Sequence, residues 1–259
     1  MTEPLEAIEF LARSPNRVAV LRAVADEPHS RRALREETAA SQPTLTRILR
    51  DFEENDWIRR TDEGYTATPL GGLLADGFAD LLTVVETEQH LRDVAPWLPT
   101  DELDIGLTAL HDAMITRPTT TDPSGPLKRA LELTDDARDH RILSYALNRD
   151  MVERLHAATV KGTQQFEAVV TDATIEPLRD APALWTQFRA VADSDTVTIR
   201  VADQPVSFAM GVADDTVYFL LRDDGEVLRA LVESDDERVL RWAHDTFERY
   251  WETASPLDV

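Results

Sequence analysis

The chain has 259 residues, which is enough for one large domain or two modest ones. Its hydrophobic fraction of 42% supports a buried core and excludes a disordered acidic tail. The lack of cysteine excludes disulfides, thiolate catalysis and cysteine metal sites. The six histidines include no pair at a helical metal-ligand spacing, so we expect no metal site.

The net charge is −22, and only Lys128 and Lys161 among the 27 basic residues are lysines. Such an acidic chain is typical of proteins adapted to a high-salt cytoplasm; an ordinary acidic protein is the alternative. The first nine residues carry three glutamates and no basic residue, unlike a signal peptide. No apolar run is long enough to span a bilayer. We therefore expect a cytoplasmic protein without a membrane partner.

The charge is unevenly distributed. Residues 1–70 hold ten arginines and thirteen carboxylates, a net of −3, which leaves −19 for the other 189 residues. Residues 29–60 hold seven arginines and six acids, a net of +1. In molar salt the Debye length is about 3 Å, so repulsion from distant carboxylates fades. DNA contacts in this least acidic stretch would then depend on local arginines and base readout.

The order of helix, turn and strand signals in residues 29–68 predicts a winged helix-turn-helix. Two amphipathic helices come first, and proline at position 28 ends the second. A short helix at 30–37, a connector at 38–40 and a second helix at 41–55 follow. Asp62-Glu63-Gly64 then forms a hairpin turn between two short strands. The positions expected to face inward on the second helix are Leu45, Ile48, Leu49 and Phe52.

The helix at 41–55 is the predicted recognition helix. Ser41 is a good N-cap and leaves Pro43 in the first turn. Arginine can contact guanine, glutamine can contact adenine, and threonine can contact phosphate or the thymine methyl. The alternatives are a solvated helix face and an edge strand kept soluble by charge. We expect DNA contacts from Arg31, Ser41, Gln42, Thr44, Thr46, Arg47, Arg50, Arg59 and Arg60.

A long helix is predicted from Pro69 toward Val94. Its apolar stripe indicates either a connector packed on the next domain or a dimer helix, and the sequence favours neither. The segment Pro96-Trp97-Leu98-Pro99 ends it, so we expect domains at 1–68, 69–98 and 99–259. The stripe consists of Leu70, Leu74, Phe78, Leu81 and Val85.

Residues 99–259 predict an α/β layer with a largely parallel sheet, which gives the whole chain an α+β class. Residues 117–126 are rich in Pro, Thr and Asp and are expected to form a loop. Strands are predicted at 103–107, 141–147, 166–170, 197–201, 206–212, 216–221 and 228–233. Helices are predicted at 127–133, 150–159, 181–191 and 235–253.

Signatures of catalysis are missing from the sequence. It has neither a Gly-rich phosphate loop nor a Gly-x-Ser-x-Gly elbow, so we expect no enzyme and no cofactor. The pairs Asp135-Asp136 and Asp235-Asp236 are interpreted as helix starts or solvated charges. Ligands of open α/β sheets bind beyond the carboxyl ends of strands. That rule indicates an effector site at Asn148, Arg149, Thr171 and Asp172, with helix capping as the alternative.

The layout resembles archaeal winged-helix transcriptional regulators of the methanogenesis-regulator type, which are frequent in haloarchaea. The matching segments are 30–68, with Ser41–Arg47 as the recognition-helix start, 126–133, 141–147 and the aromatic end at 247–257. That end is also similar to TrmB-like sugar regulators, whose effector domains look like a phospholipase-D-type α/β fold without its active site. In agreement, residues 103–259 contain no His-x-Lys motif.

The resemblance implies a dimeric regulator that binds double-stranded DNA at an operator or promoter. It also implies a carboxyl-terminal domain that senses a small-molecule or protein effector. One alternative is a protein-interaction or assembly module whose winged helix lacks specific DNA readout. A third hypothesis, turnover of a nucleotide or sugar phosphate by residues 103–259, lacks any nucleophile or metal constellation.

Overall fold

The computed structural model describes residues 4–38, 40–147, 149–161 and 164–258. The chain forms two compact units, Met1–Glu86 and Thr87–Val259. Unit 1 is a helix-turn-helix followed by a β-hairpin, and unit 2 is an α/β domain. The expected α+β class, with a winged helix-turn-helix before an α/β domain, is confirmed.

Five helices contribute side chains to the one apolar core of unit 1. Prolines stand in the first turns of the second and fourth helices, where a missing N–H costs nothing. The predicted inward set of the recognition helix is confirmed, since all four side chains are at most 3% exposed. The elements are α1 (Pro4–Ala12), α2 (Pro15–Asp26), α3 (Arg31–Thr38), α4 (Gln42–Glu54), β1 (Ile58–Thr61), β2 (Gly64–Ala67) and α5 (Pro69–Leu91).

The apolar stripe predicted for α5 is divided between two environments. Phe78 is buried in the core of unit 1, and Leu74 packs against it. Leu70, Leu81 and Val85 are exposed and belong to no described core of unit 1. Amphipathic spacing therefore identified the helix but not what covers it. No helix in the described part of the chain is long and apolar enough to cross a membrane.

Unit 2 contains one eight-stranded sheet in the order β10-β6-β5-β4-β7-β8-β9-β3. Short 3₁₀ helices at Ala95–Trp97 and Leu107–Leu110 precede it. Its strands are β3 (Met114–Thr116), β4 (Asp139–Ser144), β5 (Gln165–Val170), β6 (Val197–Val201), β7 (Ala209–Ala213), β8 (Thr216–Arg222), β9 (Leu228–Ser234) and β10 (Ser255–Pro256). Its helices are α6 (Gly125–Asp136), α7 (Arg149–Lys161), α8 (Asp172–Arg179), α9 (Pro182–Ala192) and α10 (Glu237–Thr253).

Two sequence predictions for unit 2 are wrong. The sheet is not largely parallel: β4 pairs with β5, and β5 with β6, in parallel, whereas the other five neighbouring pairs are antiparallel. Parallel pairing needs a crossover connection, and strands β6 to β9 follow one another without a helix between them. The strand expected at 103–107 is also absent; Leu103 is buried in a turn, so its apolar character reflects burial.

Helices cover both faces of the sheet. On one face, α10 packs against β4, β5, β7 and β8 and contributes Trp242 and Phe247 to the core. On the other, α7, α8 and α9 pack against β4, β5 and β6. Successive strand residues point to opposite faces, so Ile142 joins the second core and Leu143 the first. Asp236 caps α10 by accepting a hydrogen bond from the Arg238 amide at 2.7 Å, which confirms its predicted helix-start role.

His140 is buried between the sheet and its helices. Its Nε2 lies 2.9 Å from the Tyr218 hydroxyl, and among the described residues Nδ1 has no hydrogen-bond partner. Burial disfavours the charged imidazolium and lowers the pKa of His140 to about 3. The folded protein therefore holds this ring neutral over the whole mildly acidic range.

We expect His140 to make stability depend on pH. An unfolded chain protonates this ring near pH 6.5, whereas the folded chain does so only near pH 3. The stabilisation is therefore complete above pH 6.5 and is lost as pH falls toward 3, by about 1.4 kcal/mol per pH unit. Chemical denaturation of wild type and His140→Leu should give free energies of unfolding whose difference changes by about 3 kcal/mol between about pH 7 and pH 4. If the difference in free energy of unfolding between wild type and His140→Leu did not change with pH, this assignment would be contradicted.

Candidate nucleic-acid interface

The amino terminus of α4 is fixed by its own cap. Ser41 has extended backbone angles, and its Oγ accepts a hydrogen bond from the Thr44 amide at 3.4 Å. The same Oγ lies 2.8 Å from the Thr44 hydroxyl. Ser41 and Thr44, both predicted DNA contacts, thus form the amino-terminal cap of α4. A cap of this kind contributes about 1 kcal/mol to helix stability.

The outer face of α4 carries the other predicted readers. Gln42, Thr46, Arg47 and Arg50 are all exposed. Thr46 donates its hydroxyl to the Gln42 carbonyl at 2.9 Å, so that hydroxyl is already used within the helix. Arg50 lies 3.4 Å from a carboxylate oxygen of Asp51, whereas no described residue forms an ion pair with Arg47. Arg47 is therefore the least restrained cation on this helix.

The predicted wing is confirmed as a hairpin. β1 and β2 are antiparallel, and the pairing of Thr61 with Gly64 leaves Asp62 and Glu63 as a two-residue turn. Arg59 and Arg60 follow each other on β1, and both are exposed. Side chains of successive strand residues point to opposite faces. Arg59 and Arg60 therefore project from the two sides of the wing.

The wing is attached to the segment between α2 and α3. His29 and Tyr65 exchange two backbone hydrogen bonds, each 2.8 Å long, in an isolated antiparallel bridge. Gly64 precedes this bridge with φ of +136°, and a Cβ there would lie 2.2 Å from the His29 carbonyl oxygen. Only glycine fits both the backbone angle and this close approach.

Tyr65 joins two of the predicted DNA contacts. Its side chain is buried, and its hydroxyl accepts a hydrogen bond from Arg31 Nε at 3.1 Å. The guanidinium carbons of Arg31 and Arg60 each lie 5.7 Å from the centroid of its ring, within cation–π range. The structure thus brings α3 and the wing together around one aromatic ring.

The arginines of unit 1 differ in their partners. Arg13 and Arg32 form exposed ion pairs with acids one helical turn away. Exposed pairs of this kind contribute little to stability. Sequence reasoning missed Arg35, whose spacing of four residues from Arg31 on α3 was the available signal. In the described part of the chain no carboxylate forms an ion pair with Arg31, Arg35, Arg47, Arg59 or Arg60.

The predicted effector residues lie at helix starts. Asn148 falls outside the described residues. Arg149 opens α7 and lies 3.5 Å from Glu153, and Thr171 bonds the Thr174 hydroxyl at 2.8 Å before α8. Asp172 is exposed in the first turn of α8. A cavity of about 30 Å³ near the carboxyl end of β4 includes none of them. Their effector role stays a prediction.

Unit 2 presents a large polar groove at the opposite strand ends. The groove has a volume of about 810 Å³ and holds five carboxylates but only two arginines, Arg138 and Arg141. Arg141 is already bonded to Glu167 at 2.8 Å and to Glu248 at 3.0 Å. Since phosphates need unpaired cations, this groove does not suit nucleic acid. Its carboxylates are Asp139, Glu167, Asp195, Asp214 and Asp215.

Family models match both units. The HVO_A0261 N-terminal domain matches residues 5–90, which include the whole winged helix-turn-helix. The middle domain of the methanogenesis regulatory protein FilR1 matches residues 123–253, which is 131 of 259 residues and more than half of the chain. The chain belongs to the FilR1 family. The predicted resemblance to methanogenesis-type archaeal regulators is confirmed. No protein of curated function matches this FilR1-family chain.

Solved structures show more distant likenesses. TrmBL2, an archaeal chromatin protein, is 16% identical over 98% of this chain and 100% of its own, with a TM-score of 0.43. The phospholipase D family member Nuc from Salmonella typhimurium is 14% identical over 57% of this chain and 99% of its own, with a TM-score of 0.45. NucT from Helicobacter pylori is 11% identical over 56% of this chain and 98% of its own, with a TM-score of 0.43. All three scores are below 0.5, so these likenesses support no statement about function.

We expect Gly64→Ala to detach the wing. The new Cβ would collide with the His29 carbonyl in a backbone conformation that alanine avoids, which should cost about 2 kcal/mol or more. Gly72→Ala is the matched control, because Gly72 is helical with nothing within 4 Å of its Cβ position. It should stabilise the protein by about 0.5–1 kcal/mol. Chemical denaturation measures both changes, and equal stability of the two variants would contradict the argument.

Proposed function

We propose that this FilR1-family protein is a transcriptional regulator that reads a specific DNA sequence with α4. The observation that carries the proposal is the set of arginines without carboxylate partners on α3, α4 and β1. Exposed arginines stay solvated without a carboxylate partner, so these side chains remain available to an external anion. A DNA backbone is the anion that a helix-turn-helix with a wing fits.

In this proposal each element has its own task. α4 enters the major groove, where Arg47 and Arg50 contact guanine edges and Gln42 contacts adenine. Arg31, Arg59 and other arginines of α3 and the wing contact phosphates, which fix orientation without reading sequence. Arg50 is exposed, and so is its partner Glu54, so this ion pair exchanges for base contacts at little cost.

High salt is the setting in which such an interface works. Unit 1 is slightly acidic and the rest of the chain is strongly acidic. At low ionic strength the carboxylates of the whole chain therefore repel DNA. At about 1 M salt the Debye length of about 3 Å removes this repulsion and leaves close contacts. We propose a haloarchaeal cytoplasmic protein for this reason.

We expect Arg47→Ala with Arg50→Ala to abolish specific operator binding. Each lost bidentate guanine contact should cost about 1–3 kcal/mol of discrimination. DNA selection and footprinting with the full chain in molar KCl measure the loss. Arg92→Ala with Arg238→Ala is the matched control, because it removes the same charge from exposed, acid-paired sites of unit 2.

Unchanged footprints in the double variant would refute base readout by α4. Arg59→Ala should weaken binding to all sequences about equally, since phosphate contacts carry no sequence information. If wild type shows no sequence preference in salt-matched selection, the alternative holds: the winged helix serves a protein-interaction or assembly module.

We further propose that the regulator is a homodimer joined through the exposed side of α5. Leu70 and Leu73 are 66% and 71% exposed, and they recur eleven residues later as Leu81 and Val84. An eleven-residue repeat stays on one face of a nearly straight helix. Gly77 lies on that face with nothing within 4 Å, which leaves room for a second helix. With Val85 the stripe amounts to roughly 400–500 Å² per copy, a size at which an exposed apolar patch is often functional.

We expect Leu73→Gln with Val84→Gln to weaken this dimer at least about tenfold, because two polar amides would be buried in an apolar seam. Sedimentation equilibrium in molar KCl measures the dissociation constant. Met114→Gln with Val227→Gln is the control, since both residues are exposed in unit 2. A monomeric wild type, or equal dissociation constants, would contradict the interface.

A further inference from the structure

Unit 1 contains an apolar cavity between α2 and α5. Its volume is about 130 Å³, and it is more enclosed than the polar groove of unit 2. The inner wall is apolar, since Leu11, Leu21 and Phe78 are almost completely buried. The lining consists of Leu11, Val18, Leu21, Arg22, Ala75, Phe78, Ala79, Leu82, Thr83 and Glu86.

Small side chains on α5 create this cavity. Ala75 and Ala79 lie one turn apart on the side of α5 that faces α2, and neither fills the space between the helices. The cavity opens to solvent beside Leu82 and Glu86, which are both exposed, so a small molecule can enter it from that side.

The rim of the cavity is polar. Arg22 and Glu86 bring opposite charges to the lining, and Thr83 adds a hydroxyl that donates to the Ala79 carbonyl at 3.2 Å. An occupant with an apolar body and one polar group would match both regions. A hydroxyl suits this rim better than a full charge, because the rim already holds both signs.

We propose that the cavity binds a small ring-sized apolar molecule with a single hydroxyl. A dry protein cavity of about 150 Å³ lined by apolar side chains binds benzene, which sets the size of the ligand. The ligand would contact α2 and α5, and α5 begins two residues after wing strand β2 ends. This site lies in unit 1 and does not depend on DNA binding.

Titration calorimetry of the full chain with phenol in molar KCl, without DNA, tests the site. Wild type should bind phenol with a dissociation constant of about 1 mM or tighter. Ala79→Leu fills the cavity and should weaken binding at least about tenfold. Ala12→Leu is the matched control, because Ala12 is exposed on α1 outside the cavity, and it should leave the affinity within about twofold.

The proposal is overturned if wild type does not bind phenol up to about 10 mM, or if Ala79→Leu binds as tightly as wild type. It is also overturned if a second copy of α5 fills the cavity, since phenol would then fail to bind the dimer. Should Ala79→Leu not fold, Ala75→Val fills the same space with a smaller change. Because the assay contains no DNA, failure here leaves the DNA-binding proposal unaffected, and the reverse also holds.

Discussion

The arrangement of the candidate interface depends on the contacts of Tyr65. Its backbone holds the wing to the segment before α3 through the bridge with His29, and its buried ring contacts the guanidinium groups of both Arg31 and Arg60. One residue therefore fixes both the position of the wing and the direction of two guanidinium groups. A hairpin of two four-residue strands is marginal by itself, so this anchorage makes the wing a defined surface.

The distribution of charge and of ion pairs then explains which arginines remain available to bind an anion. Most of the negative charge lies outside residues 1–70, and within unit 1 several arginines are neutralised by acids one turn away. The arginines of α3, α4 and β1 that lack such partners keep their full charge for an external anion. At high salt, screening weakens long-range attraction between a positive surface and DNA. Binding then depends on a few close contacts.

Sequence reasoning succeeded where the signals are local. The cap at Ser41, the spacing of Leu45 to Phe52 and the turn at Asp62-Glu63 each involve neighbours in the chain, and all are confirmed. It failed where pairing is decided by distant residues, as in the antiparallel pairing of β4 with β7 and in edge strand β3, which pairs with β9 more than a hundred residues away. The role of Tyr65 was missed for the same reason, since its partners Arg31 and His29 are some 35 residues distant.

Helix α5 connects these features within unit 1. A helix turns by about 100° per residue, which places Leu70, Leu73 and Leu81 on one side and Ala75, Ala79 and Leu82 on another. A partner helix on the first side would leave the cavity on the second side open, so both occupants could bind at once. Because the wing leads directly into α5, a ligand that changes the spacing of α2 and α5 would also change how two wings are held in a dimer. Occupancy of the cavity would then alter the distance between two DNA half-sites without touching α4.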